Sequence, residues 1–372
     1  MNELLDGCRP VRTGMGGFWD ALVPRAPGLG LAGALSLSLS LALSLALSLA
    51  LSLALAPFQA HAAARPLAVT ADPVALSKED PASDRQGALV FRGGLDLSAP
   101  DRDFGGISGL WVDGQARKAV MVTDAGSWID MDLTFEGGRL TGVSKARIGP
   151  LLDAQGRPIR GKRVADAEGL ARAADGFVVT FENDHKIWRY AGDGRGAPFD
   201  APAVPMPLPG DFGTVPDNGA LESVAITGEV ILMLTERAFD RDGNTRGWIG
   251  SLPFSGTHPN WRPFAVSAAK PYAPTDLAIL PGGDALLLER AYSPFTGVRI
   301  QLRRLEARSL VAGGRAQGTV LAQFDRSHRV DNMEGLAVTT LADGTERLLM
   351  VSDDNFNRTN QKTLLLSFEL AR

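Results

Sequence analysis

Cysteine is nearly missing: the 372 residues contain one, Cys8, close to the start. A chain without a second cysteine makes no internal disulfide, so its stability has to come from a buried core. That suits a bacterial periplasmic protein better than a disulfide-dense secreted one. The Leu5-Asp6-Gly7-Cys8 string precedes the apolar run instead of following it, which argues against a lipoprotein signal. Histidine is scarce too, and His185, His258 and His328 fall on separate segments without ligand spacing, so no zinc site is expected. Charge of one sign is also lacking. With 38 Lys+Arg against 42 Asp+Glu the formal charge is -4, and no dense basic run points to a nucleic-acid partner. There is no Gly-x-Ser-x-Gly elbow, since Gly106-Ile107-Ser108-Gly109 misses the spacing, and neither a phosphate-cradling loop nor a dinucleotide fingerprint.

The chain does have one long hydrophobic run. Leu29–Ala56 is almost pure Leu, Ala, Ser and Gly with no charge, and it is followed by Ala60-His61-Ala62 and Ala62-Ala63-Ala64, small-x-small patterns that export peptidases cut. Residues 1–64 are therefore expected to be an export segment, with Met15 as an alternative start and cleavage near Ala63 or Arg65. The run is also long enough to span a bilayer, so an uncleaved anchor stays open as the other reading. In both, the globular part is expected outside the cytoplasm, periplasmic or secreted, with no further membrane domain. Residues 65–86 read as a linker and 87–372 as one domain.

Within that domain a pattern recurs. Ser108-Gly109-Leu110, Glu168-Gly169-Leu170, Glu222-Ser223-Val224, Thr275-Asp276-Leu277 and Glu334-Gly335-Leu336 follow one another at spacings of 60, 54, 53 and 59 residues. Each precedes a nearly continuous apolar run that ends in an acid: Asp124, Glu182, Glu236, Glu289 and Asp353. Continuous runs of this length read as strands buried on both faces. A third strand alternates, as in Val298-Arg299-Ile300-Gln301-Leu302-Arg303 and again at Leu364, Leu366, Phe368 and Leu370, which suits a more exposed strand. A fourth is expected at Gly318 to Phe324. Four strands per repeat predict an all-β propeller of about five four-stranded blades, or six if the stretch between Gly149 and Val164 holds further strands. The last repeat has only three strands of its own, so Ala88 to Leu97 is expected to supply the fourth and close the ring by pairing N- and C-terminal strands.

If the first two strands of each blade are antiparallel, the start of one and the end of the other share one mouth of the channel. Ten positions then face each other: Ser108, Glu168, Glu222, Thr275, Glu334, Asp124, Glu182, Glu236, Glu289 and Asp353. Eight are acidic. Crowded carboxylates raise each other's pKa and call for cations. Arg237 and Arg290 follow two of the acids directly, and Lys186 and Arg358 lie in adjoining loops. With Asn183 and Asn355 nearby, such a donor set would suit a hard ion, Ca²⁺ first. The same acids would also serve as loop caps, and both roles stay open. Asp240-Arg241-Asp242-Gly243-Asn244 reads as a polar hairpin tip. Trp111, Trp128, Trp188, Trp248 and Trp261 read as packing between blades.

The Asp166-Ala167-Glu168-Gly169-Leu170 segment with Phe181-Glu182-Asn183, and the closing Met333-Glu334-Gly335-Leu336 with Ser352-Asp353-Asp354-Asn355, resemble the phytase-like domain family, exported bacterial propellers described as "esterase-like activity of phytase". The resemblance covers roughly Gly87 to Leu370 and implies Ca²⁺-aided hydrolysis of phosphomonoesters or esters. The Asp-Asp-Pro-Ala-rich calcium motif of true β-propeller phytases is absent, which weighs against phytate as substrate. The expectation is an extracytoplasmic metal-assisted hydrolase of a small phosphate or carboxylate ester. Glu168 and Glu334 would act on water, and Arg237 and Arg290 would hold the anionic part. Glu182, Glu222, Glu236, Glu289 and Asp353 would hold the metal. The alternatives are a lactone hydrolase of the gluconolactonase type and a non-catalytic binding platform.

Overall fold

The computed structural model describes residues 64–192, 198–216, 218–252 and 258–371. The expected export segment lies outside them, Ala64 apart. The described chain is all-β apart from short turns of helix, and forms a five-bladed propeller. Among the described residues no helix is long and apolar enough to cross a membrane.

Each blade has four main strands. Blade 1 is Ile107–Val112, Lys118–Thr123, Ser127–Glu136 and Arg139–Pro150. Blade 2 is Ala167–Ala173, Gly176–Phe181, Lys186–Ala191 and Val204–Met206. Blade 3 is Ser223–Thr227, Val230–Phe239, Thr245–Ser251 and Arg262–Val266, and blade 4 is Ala273–Ile279, Ala285–Ser293, Gly297–Leu305 and Gly318–Phe324. Blade 5 joins Asn332–Thr340, Glu346–Asp353 and Thr363–Leu370 to Leu89–Ser98, which pairs antiparallel with Thr363–Leu370 from Thr363 opposite Leu97 to Leu370 opposite Leu89. No strand arises between Gly149 and Val164. That stretch holds a single bridge, Leu152 to Pro158, and a one-turn helix at Lys162–Ala165.

The core lies between blades, and the sequence shows why. On the second strand of blade 4, Leu286 and Leu288 pack toward blade 5 while Leu287 packs toward blade 3. In blade 5, Leu348 and Met350 face blade 4 while Leu349 and Val351 face blade 1. A strand that feeds two interfaces has no polar side, hence the unbroken apolar runs. Trp128 and Trp248 belong to these layers and are fully buried. In four of the five repeats a glycine or serine follows the first position, and the glycines let inner strands close up. A Cβ on Gly169 would stand 3.0 Å from the Val224 amide, and one on Gly335 2.9 Å from Leu110 Cβ.

Two expectations need correcting. Residues 65–86 are no free linker. Arg65–Pro66 pairs with the outer strand of blade 1, Thr70–Val74 with Leu89–Ser98 of blade 5, and Arg85–Gln86 with that same strand. Gln86 then reaches the Gln323 carbonyl of blade 4, so this segment straps three blades together. For the same reason Thr363–Leu370 is not a wet third strand. Leu89–Ser98 and the strap lie outside it, and its first six residues are buried.

Candidate functional site: an acidic mouth

Two devices aim the repeated acids at the mouth. The inner strands carry an extra residue where they begin, at Ser108, within Glu168–Gly169, at Thr275 and at Glu334, so the register against the second strand slips there. A bulge turns its extra side chain out of the regular pleat. A hydroxyl from the preceding blade then pins the peptide before each glutamate. Ser108 donates to the Ala167 carbonyl, Thr180 to that of Leu221 at 3.0 Å, and Thr275 to that of Met333 at 3.0 Å. These are the residues just before Glu168, Glu222 and Glu334. Behind the acids the channel is walled by Leu110, Leu170, Val224, Leu277 and Leu336 around a cavity of about 130 Å³. Burial of the acids themselves makes an unpaired charge there costly.

The tightest group is Asp166, Glu168 and Glu182, each able to present an oxygen within 4.8 Å of the others'. All three are buried, Asp166 completely. Asn183, whose left-handed backbone (φ 48°) closes the turn after Glu182, donates to Asp166 Oδ2. Asp166 Oδ1 has no hydrogen-bond partner, and neither does Asp124 Oδ1. Gly106 leaves room for the latter, since a Cβ there would come within 2.1 Å of it. One cation is built in. Lys162 Nζ lies 2.8 Å from Asp124 Oδ2 and 3.7 Å from Asp166 Oδ1. Burial opposes its charge, yet Asp124, Asp166 and Glu168 hold the ammonium above its ordinary range.

One lysine does not balance this mouth. Burial, then the charges of Glu222 and Glu334, push Glu168 well above the ordinary carboxylate range. Burial, then Glu236 and Glu182, do the same to Glu222, which shares a hydrogen bond with Glu182. Asp166 is raised by burial although Lys162 opposes it. Burial lifts Glu334 to about 7 against Arg290, and lifts Asp353 to about 9 beside Glu334.

The expected residues separate into three sets. Glu168, Glu182, Glu222, Glu334 and Asp353 do gather, with Asp166 and Asp124 added. Glu236 sits among them and is ion-paired, with Arg237 Nε 2.9 Å from Oε2 and Arg290 Nη2 3.6 Å from Oε1, yet burial still holds it above the ordinary carboxylate range against both arginines. That same Arg290 nitrogen lies 3.6 Å from Glu334, so this arginine spans blades 3 to 5. Glu289 does not join the group. It points along its sheet to Arg303 in a bidentate pair at 2.5 and 2.6 Å and accepts from Gln301 at 3.0 Å. In blade 4 the second and third strands stay in register past Glu289, which faces Gln301 inside the ladder; in blades 1 and 2 the acid lies just past the end of the second strand, and in blade 3 the register slips between Leu234 and Phe239, around Glu236. The other expected cations serve structure: Arg358 holds the carbonyls of Ala99, Asp101 and Phe104, and Lys186 pairs with Asp184. The Asp240 hairpin has both carboxylate oxygens occupied by Asn244.

Asp166 and Lys162 went unnoticed in the sequence as site residues. Asp166 is two residues before Glu168, a spacing that puts both on one side of an extended chain, and that signal was available. Nothing marks Lys162, which comes from an irregular connection.

Among solved structures the chain is similar to the N-terminal domain of Nup159, at 11% identity and TM-score 0.32, over 80% of this chain and 100% of that one. It is also similar to a gluconolactonase of Xanthomonas campestris, at 12% identity and TM-score 0.37, over 82% and 99%. Neither likeness is close enough to bear on site or activity. No curated protein matches the chain. The family profile described as Phytase-like, "Esterase-like activity of phytase", matches residues 102–356, a span that runs from the start of blade 1 to the turn after Asp353 and takes in every acid of the mouth. The chain therefore belongs to the phytase-like family.

Proposed function

We propose that this propeller is an extracytoplasmic, metal-assisted hydrolase of phosphate or carboxylate esters, its divalent cation held at the mouth by Asp166, Glu168 and Glu182. The observation that carries this reading is the fully buried Asp166, with one oxygen lacking any hydrogen bond, inside a set of carboxylates that burial and mutual repulsion hold above their usual pKa. A buried acceptor left unmatched in a low dielectric is expensive unless something else satisfies it. Oxygen donors alone, several of them carboxylates, suit Ca²⁺.

In this reading only Glu182 is kept from the metal-holding set expected from the sequence, Asp166 and Glu168 join it, and Glu334 alone would act as the proton acceptor. A bound divalent cation would polarise an ester oxygen and make a water easier to deprotonate. Glu334, lifted to about 7 and fixed by Asn332 Nδ2 at 2.7 Å, is poised to take a proton near neutral pH. Arg290 and Arg237 would position the anionic end of the substrate.

The test is hydrolysis of an aryl phosphate and an aryl carboxylate ester, with Ca²⁺ and after chelation, in the parent and in Glu168→Gln. The reading predicts turnover that disappears on chelation and falls on the order of a hundredfold in the variant. Turnover indifferent to chelator, or a fully active Glu168→Gln, would contradict it.

A further inference from the structure

Lys162 stands on the unmatched side of the mouth, at the place an incoming ion would take. Its Nζ lies 2.8 Å from Asp124 Oδ2 and 3.7 Å from Asp166 Oδ1. The second contact is too long for a hydrogen bond, so Asp166 Oδ1 has no donor on it although the residue is fully buried. Asp166 Oδ2 already accepts from Asn183. The oxygen that Asp166 has left to offer an ion, beside Glu168 and Glu182, is therefore the one the ammonium faces.

The backbone beneath this lysine is anchored, and its side chain is not. Gly161, at φ 88°, turns the chain into the helix Lys162–Ala165, whose Val164 and Ala165 amides donate to the Gly161 carbonyl at 2.9 and 3.0 Å. Ala165 is buried against the turn of blade 1, where a Cβ on Gly126 would come within 2.7 Å of its own. From blade 2, Lys186 Nζ donates to the Val164 carbonyl at 2.5 Å. The Lys162 side chain, in contrast, is 63% exposed, so little packing holds it over the acids. An ammonium on a flexible stem is a point charge that can shift without moving the fold.

We propose that Lys162 is a tethered counter-ion that decides which cations the mouth accepts: it holds Asp124 and Asp166 in the empty site and yields Asp166 to a divalent ion only. The inference rests on reading Asp166, Glu168 and Glu182 as the cation site. A sodium or potassium ion brings the same single charge as the ammonium and competes with a group attached to the site, whose effective concentration is high. A divalent ion brings twice the charge to the same oxygens and prevails. Lys162 then keeps its closer contact with Asp124 and stays beside the bound ion, so its charge lowers the affinity for that ion.

The test is calorimetric titration of the whole protein with Ca²⁺, in NaCl and in choline chloride of equal ionic strength, for the parent, Lys162→Met and Lys162→Arg. Melting in chelator checks that each variant is folded. The parent should bind Ca²⁺ equally in the two salts. In choline chloride Lys162→Met should bind Ca²⁺ about tenfold tighter than the parent or more, because a positive charge next to the ion is gone. In NaCl the same variant should lose most of that gain, as sodium takes the vacated place. Lys162→Arg keeps the charge and should follow the parent in both salts. Ca²⁺ binding by Lys162→Met alone would support the proposal in its strongest form. Affinity in Lys162→Met that is unchanged, weaker, or tighter but insensitive to sodium would overturn it and leave the cation site standing. So would Lys162→Arg behaving as Lys162→Met does. No Ca²⁺ binding by any of the three would overturn both the proposal and the cation site.

Discussion

Glu182, just past the second strand of blade 2, and Glu289, inside the second strand of blade 4, hold equivalent places in the repeat, and the fold treats them in opposite ways. Glu289 is matched within its own sheet. Arg303 holds both its oxygens, Gln301 adds a third bond, and Gln323 in turn satisfies Gln301 at 2.7 Å. Glu182 spends one oxygen on the backbone amides of Gly219 and Ala220, which begin the next repeat, and stands among Asp166, Glu168 and Glu222. Blade 4 thus pairs Glu289 internally. Blades 1 and 2 leave more carboxylates than their built-in cation, Lys162, can match.

The largest effect should come from breaking the matched pair. Arg303 and Glu289 are almost wholly buried, at 6% and 1% side-chain exposure. Arg303→Met strands a buried carboxylate and should cost about 3–5 kcal/mol in urea unfolding. Adding Glu289→Leu should recover most of that loss. A single variant within about 1 kcal/mol of the parent would mean that blade 4 is no better matched than blade 2.

Next in size is the response of the unmatched side. Ca²⁺ at a hundred times its dissociation constant should stabilise the parent by about 2.7 kcal/mol, visible as a rise in Tm. Asp166→Asn/Glu168→Gln should abolish that rise. In chelator the same variant should melt at or slightly above the parent, since like charges have been removed. A variant that still responds to Ca²⁺ would place the ion elsewhere.

The two regions should also differ in pH dependence. A carboxyl raised on folding binds its proton more tightly in the native state, so stability falls as pH rises from the unfolded value toward the folded one. With Glu334 at about 7 and Asp353 at about 9, and Glu168 and Glu222 also raised, the metal-free protein should lose stability steadily between about pH 4.5 and pH 9. Acids held low elsewhere, such as Asp284 and Glu369, act below that window. Unfolding by denaturant in chelator across this range checks the slope, and a flat profile would argue that the mouth is already neutralised. The smallest effect is expected at the supports. Ser108→Ala frees the Ala167 carbonyl and should cost about 1 kcal/mol, while weakening Ca²⁺ binding through Glu168.

The blade pattern was legible because period and burial are written in neighbouring residues. The glutamate-glycine-aliphatic starts and the apolar runs specify inner strands and two-sided interfaces. The fate of individual acids was not legible in that way. Glu289 is kept from the mouth by Arg303, fourteen residues on, and by a hairpin whose ladder continues past it to Ser293. Glu236 lies where its own hairpin slips in register. Lys162 reaches Asp124 from a connection with no periodicity to read. The strap at 65–86 looked like a linker because its strands are very short and largely exposed.

The account stands most directly on one measurement: titration of the metal-free protein with Ca²⁺ at pH 7 by calorimetry in two buffers of different ionisation enthalpy. Carboxyls raised by burial and repulsion carry protons that a divalent cation must displace, so binding should release protons and the observed heat should change with the buffer. Heat that is the same in both buffers, or no heat at all, would show that the mouth of this propeller holds no unmatched carboxylate group waiting for a cation.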